Sequence, residues 1–437
     1  MQNFSRPASL RGTLAVPGDK SISHRALLLP ALADGWTRVR GMSDGHDVAA
    51  TRRALQVIGI AIEDRDGAVH VRGKPLQQWQ PAGLRQAELV RLDCGNSGTT
   101  MRLLLGLCAA AQRLDVELVG DASLQRRPML RVVEPLRRMG AQVETSAAGG
   151  APLRVRGCSL SGAEHVLPVA SAQLKSALLL AGLHSEGTTQ VTEPVLSRDH
   201  SERMLLAMGA RMERRGLTVQ VWPSSLQPLG DFQVPGDPSS AAFGAVAAVL
   251  HPRAELRLPG VCINPTRAGW MRVLQRMGGD VQIVSDQLLG GEAVGELLSR
   301  SSHLVATVIR ADEVPSCVDE LPILALAASA ALGTSRFEGI EELRVKESDR
   351  LTAIEQLLGA LGVTTRSAHG WLEIDGVGAP GHWSELQQAW QPGLDHRMAM
   401  TAAVAGMTGP HPVSVTGFAT VASSWPGFVS QFQQLSA

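Results

Sequence analysis

Ser171–Val191, SAQLKSALLLAGLHSEGTTQV, reads in four steps: a small polar cluster, an Ala/Leu-rich stretch, a glycine turn and a β-branched run. The same order stands at Lys20–Val39 (KSISHRALLLPALADGWTRV) and Asn96–Val119 (NSGTTMRLLLGLCAAAQRLDVELV), and it returns at Pro238–Leu256, Asp319–Phe337 and Asp395–Val415. After most copies a second helix is predicted, ending in an apolar-Gly pair: Ile58-Gly59, Met139-Gly140, Met208-Gly209, Met277-Gly278 and Leu361-Gly362. Each pair opens a strand such as Ala141-Gln142-Val143 or Val363-Thr364, and the sixth copy reads as ending the chain without its second half. The five glycines of these pairs stand 81, 69, 69 and 84 residues apart, too long for a solenoid and long enough for a βαβ-type unit. Alternating helices and strands favour a partly parallel α/β sheet. The helices are apolar nearly all round, as in Ala26–Ala33 and Ala177–Gly182, so burial inside a lobe is expected.

Val-Pro-Gly-Asp occurs at Val16–Asp19 and again at Val234–Asp237, each time just before a polar cluster. We read these as two points where the chain crosses between lobes. The expected division is a strand in 1–19 that crosses into the C-terminal lobe, a first lobe of three repeats in 20–234, and a second of three in 235–437. A chain of 437 residues suits such a division.

Composition narrows the function classes. The chain is 44% apolar and 19% charged, a globular profile. Lys+Arg and Asp+Glu balance at 41 each, so no global field points to nucleic acid or an anionic membrane, and attraction for anions must be local. Cys94, Cys108, Cys158, Cys262 and Cys317 form neither a CxxC nor a zinc-like spacing, which reads as free thiols in a reducing compartment. Met1–Arg11 has no signal-peptide pattern, and the apolar runs Ala241–Leu250 and Leu321–Leu332 are too short to span a bilayer, so a cytoplasmic protein is expected. Among the 41 basic residues only Lys20, Lys74, Lys175 and Lys346 are lysine, and three of the four fall in the densest polar motifs. A compact ammonium whose proton burial can loosen does what arginine cannot.

The clusters carry the chemistry. In Pro17–Arg25 a glycine turn leads into a helix, where free backbone N–H groups and the positive helix end converge and Lys20, Ser21 and Arg25 add donors. It is not a P-loop, since Asp19 stands where that motif needs its second glycine. Asp93–Arg102 has two glycines that permit close approach to a ligand, and Arg126-Arg127-Pro128 can grip a carboxylate or phosphate. Ser171–Ser176, Ser197–His200, Asp319–Pro322, Glu342–Arg350 and Asp395–Met400 complete the set. Helix ends pointing the same way in two facing lobes would make a cleft for multiply charged anions in spite of zero net charge.

In this order, PGDKSISHRALLL, GNSGTTMRLL, RRPM, SAQLKSALLLAGL, DELP, RVKESDR and DHRMAM resemble the EPSP synthases of the shikimate pathway, from Val16 to about Phe428. The resemblance implies an α/β fold of two lobes, each an inside-out α/β barrel of three βαβ-type units, six in total. It implies transfer of the enolpyruvyl group of phosphoenolpyruvate to shikimate 3-phosphate, with release of phosphate and no metal or cofactor; a monomer with these two small molecules as its partners is expected. Carried over residue by residue, Lys20, Ser21, Arg25, Ser171, Ala172, Gln173 and Arg198 match shikimate 3-phosphate binders, with Asp319 and Lys346 reaching the same substrate. Lys20, Asn96, Gly98, Arg127, Gln173, Arg350 and Arg397 match the phosphoenolpyruvate site. Asp319 and Glu347 match the acid–base pair, flanked by Lys346, and Lys20, which touches both substrates, is counted as catalytic with them. Ser423 stands where many members carry a lysine, so Arg350 and Arg397 must suffice there; Gly98 keeps the glycine type, which leaves room for glyphosate beside Arg127.

Two other readings compete. The UDP-N-acetylglucosamine enolpyruvyl transferases share the architecture but use a loop cysteine, and Asp121–Met129 has none. A non-catalytic anion-binding protein of the same fold would be expected to lose Asp319, Glu347 or Lys20, and all three are present.

Overall fold

The computed structural model describes residues 1–81 and 88–435. Two compact units divide the chain: Gly18–Val234 with Gly290–Glu292, and Met1–Pro17 with Pro235–Leu289 and Ala293–Ala437.

In the unit built on Gly18–Val234, each repeat contributes one apolar helix: Lys20–Leu28, Gly98–Ala110 and Ala172–Gly182. Each also contributes a second helix, His46–Val57, Leu130–Arg138 and His200–Ala207. The sheets share one plan. Leu89–Asp93 runs parallel to Asp115–Val119, which pairs antiparallel with Leu153–Arg156, which pairs antiparallel with Gln142–Glu144. Glu164–Val166, Thr189–Thr192, Thr218–Val221 and Met212–Arg215 repeat it. So do Asp231–Gln233, Gly35–Arg40, Ala68–Gly73 and Ala61–Arg65, except that here the first strand comes from the far end of the segment.

The other unit has the apolar helices Pro238–Leu250, Leu321–Ser329 and His396–Thr408, each buried along its length and packed on the other two. Leu10–Thr13 runs parallel to Ala254–Cys262, which pairs with the strand that ends at Arg300; Val308–Ile309 runs parallel to Leu332–Glu338, followed by Trp371–Val377 and Thr364–Ala368. Among the described residues there are thus five four-stranded sheets and one pair. Strands such as Leu89–Asp93 alternate exposed and buried positions, so the sheets present one face to solvent while the helices fill the middle, the inside-out arrangement.

Local chemistry explains the repetition. Gly59, Gly140, Gly209, Gly278 and Gly362 all take φ between 79° and 96°, the left-handed turn that ends each second helix and that a side chain disfavours. Five of the six apolar helices carry a side-chain N-cap: Asp19 accepts from Ile22 N, Ser97 from Thr100 N, Ser171 from Leu174 N, Asp237 from Ser239 N and Asp395 from Arg397 N, each cap worth about 1 kcal/mol. In the sixth, Glu320 is engaged instead by the Ser239 hydroxyl. Gly106 lets the Gly98–Ala110 helix approach its neighbour so closely that a Cβ there would stand 2.3 Å from the Ala177 carbonyl oxygen.

The last repeat differs from the sequence expectation. It does not simply stop: Val413–Val415 pairs antiparallel with Gln2–Phe4, and a short helix, Phe428–Gln434, closes the unit. Phe4, Phe418, Trp425, Phe428 and Phe432 stack there with ring centroids 4.7–6.2 Å apart. Residues more than four hundred positions apart make this closure, so no local pattern could announce it.

Candidate active site

None of the six apolar helices has an acidic residue in its first turn, although carboxylates favour that end. Lys20 and Arg397 occupy first-turn positions instead, and Arg350 opens the Arg350–Ala360 helix. Each cation is met by a carboxylate inside the protein, Lys20 by Asp47, Arg350 by Asp395 and Arg397 by Asp319, and Asp19, Asp349 and Asp395 cap the three helices, so charge of both signs gathers at these positive helix ends.

Take first the unit of residues 18–234. The Lys20 ammonium lies 3.0 Å from Asp47 Oδ2, both side chains mostly buried. Behind it a chain of short hydrogen bonds ties the first two repeats: His24 Nδ1 to Thr51 Oγ1 at 2.7 Å, Thr51 Oγ1 to Thr100 Oγ1 at 2.6 Å, and Thr100 Oγ1 to Ser97 Oγ at 2.8 Å. Burial, with Lys20 and Arg25 adding to it, holds His24 well below the usual imidazole range, so this ring is neutral. Arg25 is nearly fully buried: it donates to Ser201 Oγ at 2.7 Å, Ser176 Oγ at 2.8 Å and the Ser21 carbonyl at 2.9 Å. Burial draws its guanidinium down to about 10, opposed by Glu202 and Asp19 and assisted by Arg198. Arg198 itself is half-buried, in the loop just before the His200–Ala207 helix.

Three more of the sequence candidates meet through Arg127 and Arg102. Arg127 Nη2 donates to Asn96 Oδ1 at 2.5 Å, and Asn96 Nδ2 donates to Asp121 Oδ2 at 2.7 Å. Arg102 Nη1 donates to Gln173 Oε1 at 2.5 Å, while Gln173 Nε2 donates to Thr99 Oγ1 at 2.9 Å, next to Gly98. A Cβ on Gly98 would stand 2.8 Å from Arg102 Nη1 and 3.1 Å from Arg127 Nη1, so Gly98 keeps two guanidinium groups in place. Ser171 and Ala172 open the Ala172–Gly182 helix, with Ser171 as its cap.

In the other unit five candidates form one group around Asp319. Its carboxylate lies 3.5 Å from Arg350 Nη1, 3.7 Å from Arg397 Nη2 and 3.9 Å from Lys346 Nζ, and its backbone carbonyl accepts from Arg397 Nη1 at 3.1 Å. Glu347 Oε2 accepts from Arg350 Nη2 at 2.5 Å. Asp319 and Glu347 thus lie on one buried arginine, each with part of its side chain exposed. Burial alone would lower the Arg350 guanidinium, but the carboxylates of Asp395, Glu347 and Asp319 outweigh it and hold the group charged. Lys346 is pulled below its ordinary value by burial; Asp319 opposes this and Arg350 adds to it.

Among the residues of these groups that the sequence gave no role are Asp47, Arg102 and Asp395. Asp47, the partner of Lys20, carries no motif signal at all. Arg102 stands inside GNSGTTMRLL, and Asp395 opens DHRMAM, so both had a signal in their position. Asp395 is fully buried; Oδ2 accepts from Arg350 Nε at 2.8 Å and Ser348 Oγ at 2.9 Å, while Oδ1 caps the helix that carries Arg397. Lys175 turns out to be wholly enclosed, 2.7 Å from both Glu193 and Glu202.

Fold and side chains together define a six-repeat, two-lobed α/β protein with arginine-rich groups at its helix starts and an acid pair in one of them. Comparison with known proteins agrees. The family model of EPSP synthase (3-phosphoshikimate 1-carboxyvinyltransferase) matches residues 4–432. A 3-phosphoshikimate 1-carboxyvinyltransferase of Synechococcus sp. strain JA-3-3Ab is 46% identical over 99% of this chain and 96% of its own. The structure of EPSP synthase from Acinetobacter baumannii superposes with a TM-score of 0.85 at 38% identity, covering 100% of this chain and 98% of that one. The enolpyruvyl transferase NikO from Streptomyces tendae shares the fold, with a TM-score of 0.78 at 19% identity over 100% of this chain and 97% of its own. The chain belongs to the EPSP synthase family.

Proposed function

We propose that both side-chain groups serve one reaction, transfer of the enolpyruvyl group of phosphoenolpyruvate to the 5-hydroxyl of shikimate 3-phosphate with release of phosphate. The observation that carries this reading is Asp319 set among Lys346, Arg350 and Arg397, with Glu347 on the same arginine. Lys20, Ser21, Arg25, Ser171, Ala172, Gln173 and Arg198 hold the shikimate phosphate and ring, and Lys20, Asn96, Gly98, Arg127, Gln173, Arg350 and Arg397 hold phosphoenolpyruvate. Glu347 delivers a proton to the methylene carbon, which leaves cationic character at the enol carbon. The shikimate hydroxyl attacks that carbon and gives its proton to Asp319. The C–O bond to phosphate then breaks, Glu347 takes a proton back from the methyl group, and the proton held by Asp319 leaves with phosphate. Lys20 and Lys346 stabilise the charge that gathers on phosphate and carboxylate oxygens. Phosphate release that needs both substrates together tests this; release from phosphoenolpyruvate alone, or none with the pair, contradicts it.

The lowered Lys346 gives a pH prediction. Its work requires the protonated form, which is lost as pH rises through a value below the ordinary 10.5. So kcat/KM for phosphoenolpyruvate falls on the alkaline side, and Lys346→Arg moves that limb upward, since a guanidinium stays charged. A limb at the same pH in both proteins assigns it to another group.

Gly98 gives a second. Glyphosate, a phosphonate with a carboxylate, competes with phosphoenolpyruvate for the space beside Arg127. Gly98→Ala forces Arg102 and Arg127 aside and raises the glyphosate inhibition constant roughly tenfold or more, as overpacking costs suggest. An unchanged constant removes glyphosate from that position.

A further inference from the structure

Lys175 is a lysine that the reaction above does not use, in a chain that has almost everywhere settled on arginine. Its ammonium is fully buried and 2.7 Å from Glu193 Oε2 and 2.7 Å from Glu202 Oε1. Those two acids bracket a loop: Glu193 follows directly on the strand Thr189–Thr192, and Glu202 lies in the first turn of the His200–Ala207 helix. Between them lies Arg198. Within the loop Ser197 Oγ also donates to Glu193 Oε1, so one glutamate holds both the lysine and the residue next to Arg198. Beside Glu202, Ser201 Oγ accepts from Arg25 Nε at 2.7 Å, and Ser201 Oγ lies 2.6 Å from Ser176 Oγ, which accepts from Arg25 Nη2 at 2.8 Å. Ser176 is the helix neighbour of Lys175. One turn of one helix therefore grips the loop at both ends and seats Arg25 as well.

Two buried carboxylates face the Lys175 ammonium, and one of them, Glu202, also acts on the Arg25 guanidinium. A buried charge persists only when it is paired, and removal of one partner strands the rest. Lysine suits the position because a compact ammonium meets two carboxylates from separate elements in a fully enclosed space, where the larger planar guanidinium would need more room.

We infer that Lys175 is a positioning residue for shikimate 3-phosphate binding: it fixes the Glu193–Glu202 loop so that Arg198, together with Arg25, stands where the phosphorylated ring is held. The inference rests on the reading that Arg25 and Arg198 contact that substrate. It separates the two substrates, since Arg127 donates to Asn96 and Asn96 donates to Asp121, bonds that do not involve Lys175.

The test is steady-state phosphate release by the full chain, with KM measured for each substrate in turn. Lys175→Met keeps the length of the side chain and removes the charge. Because it leaves two carboxylates unpaired and can fail to fold, Glu193→Gln serves as the milder variant: Lys175 keeps Glu202, and only one end of the loop is loosened. We expect KM for shikimate 3-phosphate to rise at least tenfold in Lys175→Met and several-fold in Glu193→Gln, with KM for phosphoenolpyruvate within about twofold of the parent. Lowered yield or melting temperature with both KM values unchanged in the soluble fraction overturns the inference and leaves Lys175 as part of the core. Arg198→Ala is the control for the underlying reading. If it leaves KM for shikimate 3-phosphate unchanged, the substrate assignment has failed; if it raises that KM while Glu193→Gln and Lys175→Met do not, the positioning role has failed by itself.

Discussion

Asp319→Ala lowers turnover by about 10²–10⁴-fold, the usual worth of a positioned general base. Three cations stand within 3.9 Å of the Asp319 carboxylate, and none of them can accept the hydroxyl proton in its place. Asp319→Asn keeps the shape, one acceptor oxygen and the backbone carbonyl that accepts from Arg397, but neither the charge nor the basicity, so it falls by a similar factor. Glu347→Gln loses proton delivery at carbon and falls in the same range. Its additional signature is isotopic: in deuterated water the parent enzyme carries solvent deuterium into the methylene group during turnover, and the variant is slowed in that exchange as well. Steady-state phosphate release, with thermal melts to show intact folding, is the measurement. Turnover within a few-fold of the parent in Asp319→Asn refutes its role as base, and normal exchange in Glu347→Gln refutes the assignment at carbon.

The second large effect falls on stability and binding together. Asp395 is fully buried and serves Arg350, Ser348 and the helix that begins with Arg397. Asp395→Ala leaves the Arg350 guanidinium, itself only 1% exposed, without its closest buried carboxylate. Breaking a buried pair on one side costs about 3–5 kcal/mol, and the lost cap adds about 1. The melting transition of the unit that holds Asp395 should drop by on the order of 10 °C. KM for phosphoenolpyruvate should rise in parallel, because Arg350 and Arg397 lose the group that sets both. A variant that melts within about 2 °C of the parent contradicts the account of Asp395 as the shared anchor. Differential scanning calorimetry also shows whether the two units melt separately, which a single midpoint would hide.

The repeated architecture was legible because it is written locally. A polar cluster, an apolar helix and a glycine turn are each fixed by residues within a turn or two, so six cluster positions stand at six helix starts and five glycines take the left-handed turn. The mixed sheets followed from alternation of helix and strand. What stayed hidden is which charges are spent inside the protein. A lysine in a polar motif reads alike whether its partner is a substrate or a glutamate eighteen residues away, and Lys175 is the second kind. Arg25 reads as an open anion binder, yet it lies buried with Ser21, Ser176 and Ser201 around it. Asp47 could not be found from the sequence at all, since its partner Lys20 is twenty-seven positions distant and no pattern links them. Asp395 was visible as a letter in DHRMAM but not as an anchor, because the arginine it holds lies forty-five positions earlier.

The reaction as proposed draws on basic side chains of both units for the same pair of anions. A crystal structure of the protein soaked with shikimate 3-phosphate and glyphosate tests that most directly. The account predicts shikimate 3-phosphate bound to Arg198, Ser171 and Lys20, and the phosphonate and carboxylate of glyphosate held jointly by Arg127 of one unit and Arg350 and Arg397 of the other. Ligand density that touches the residues of one unit only, with Asp319 and Glu347 remote from both molecules, would contradict it.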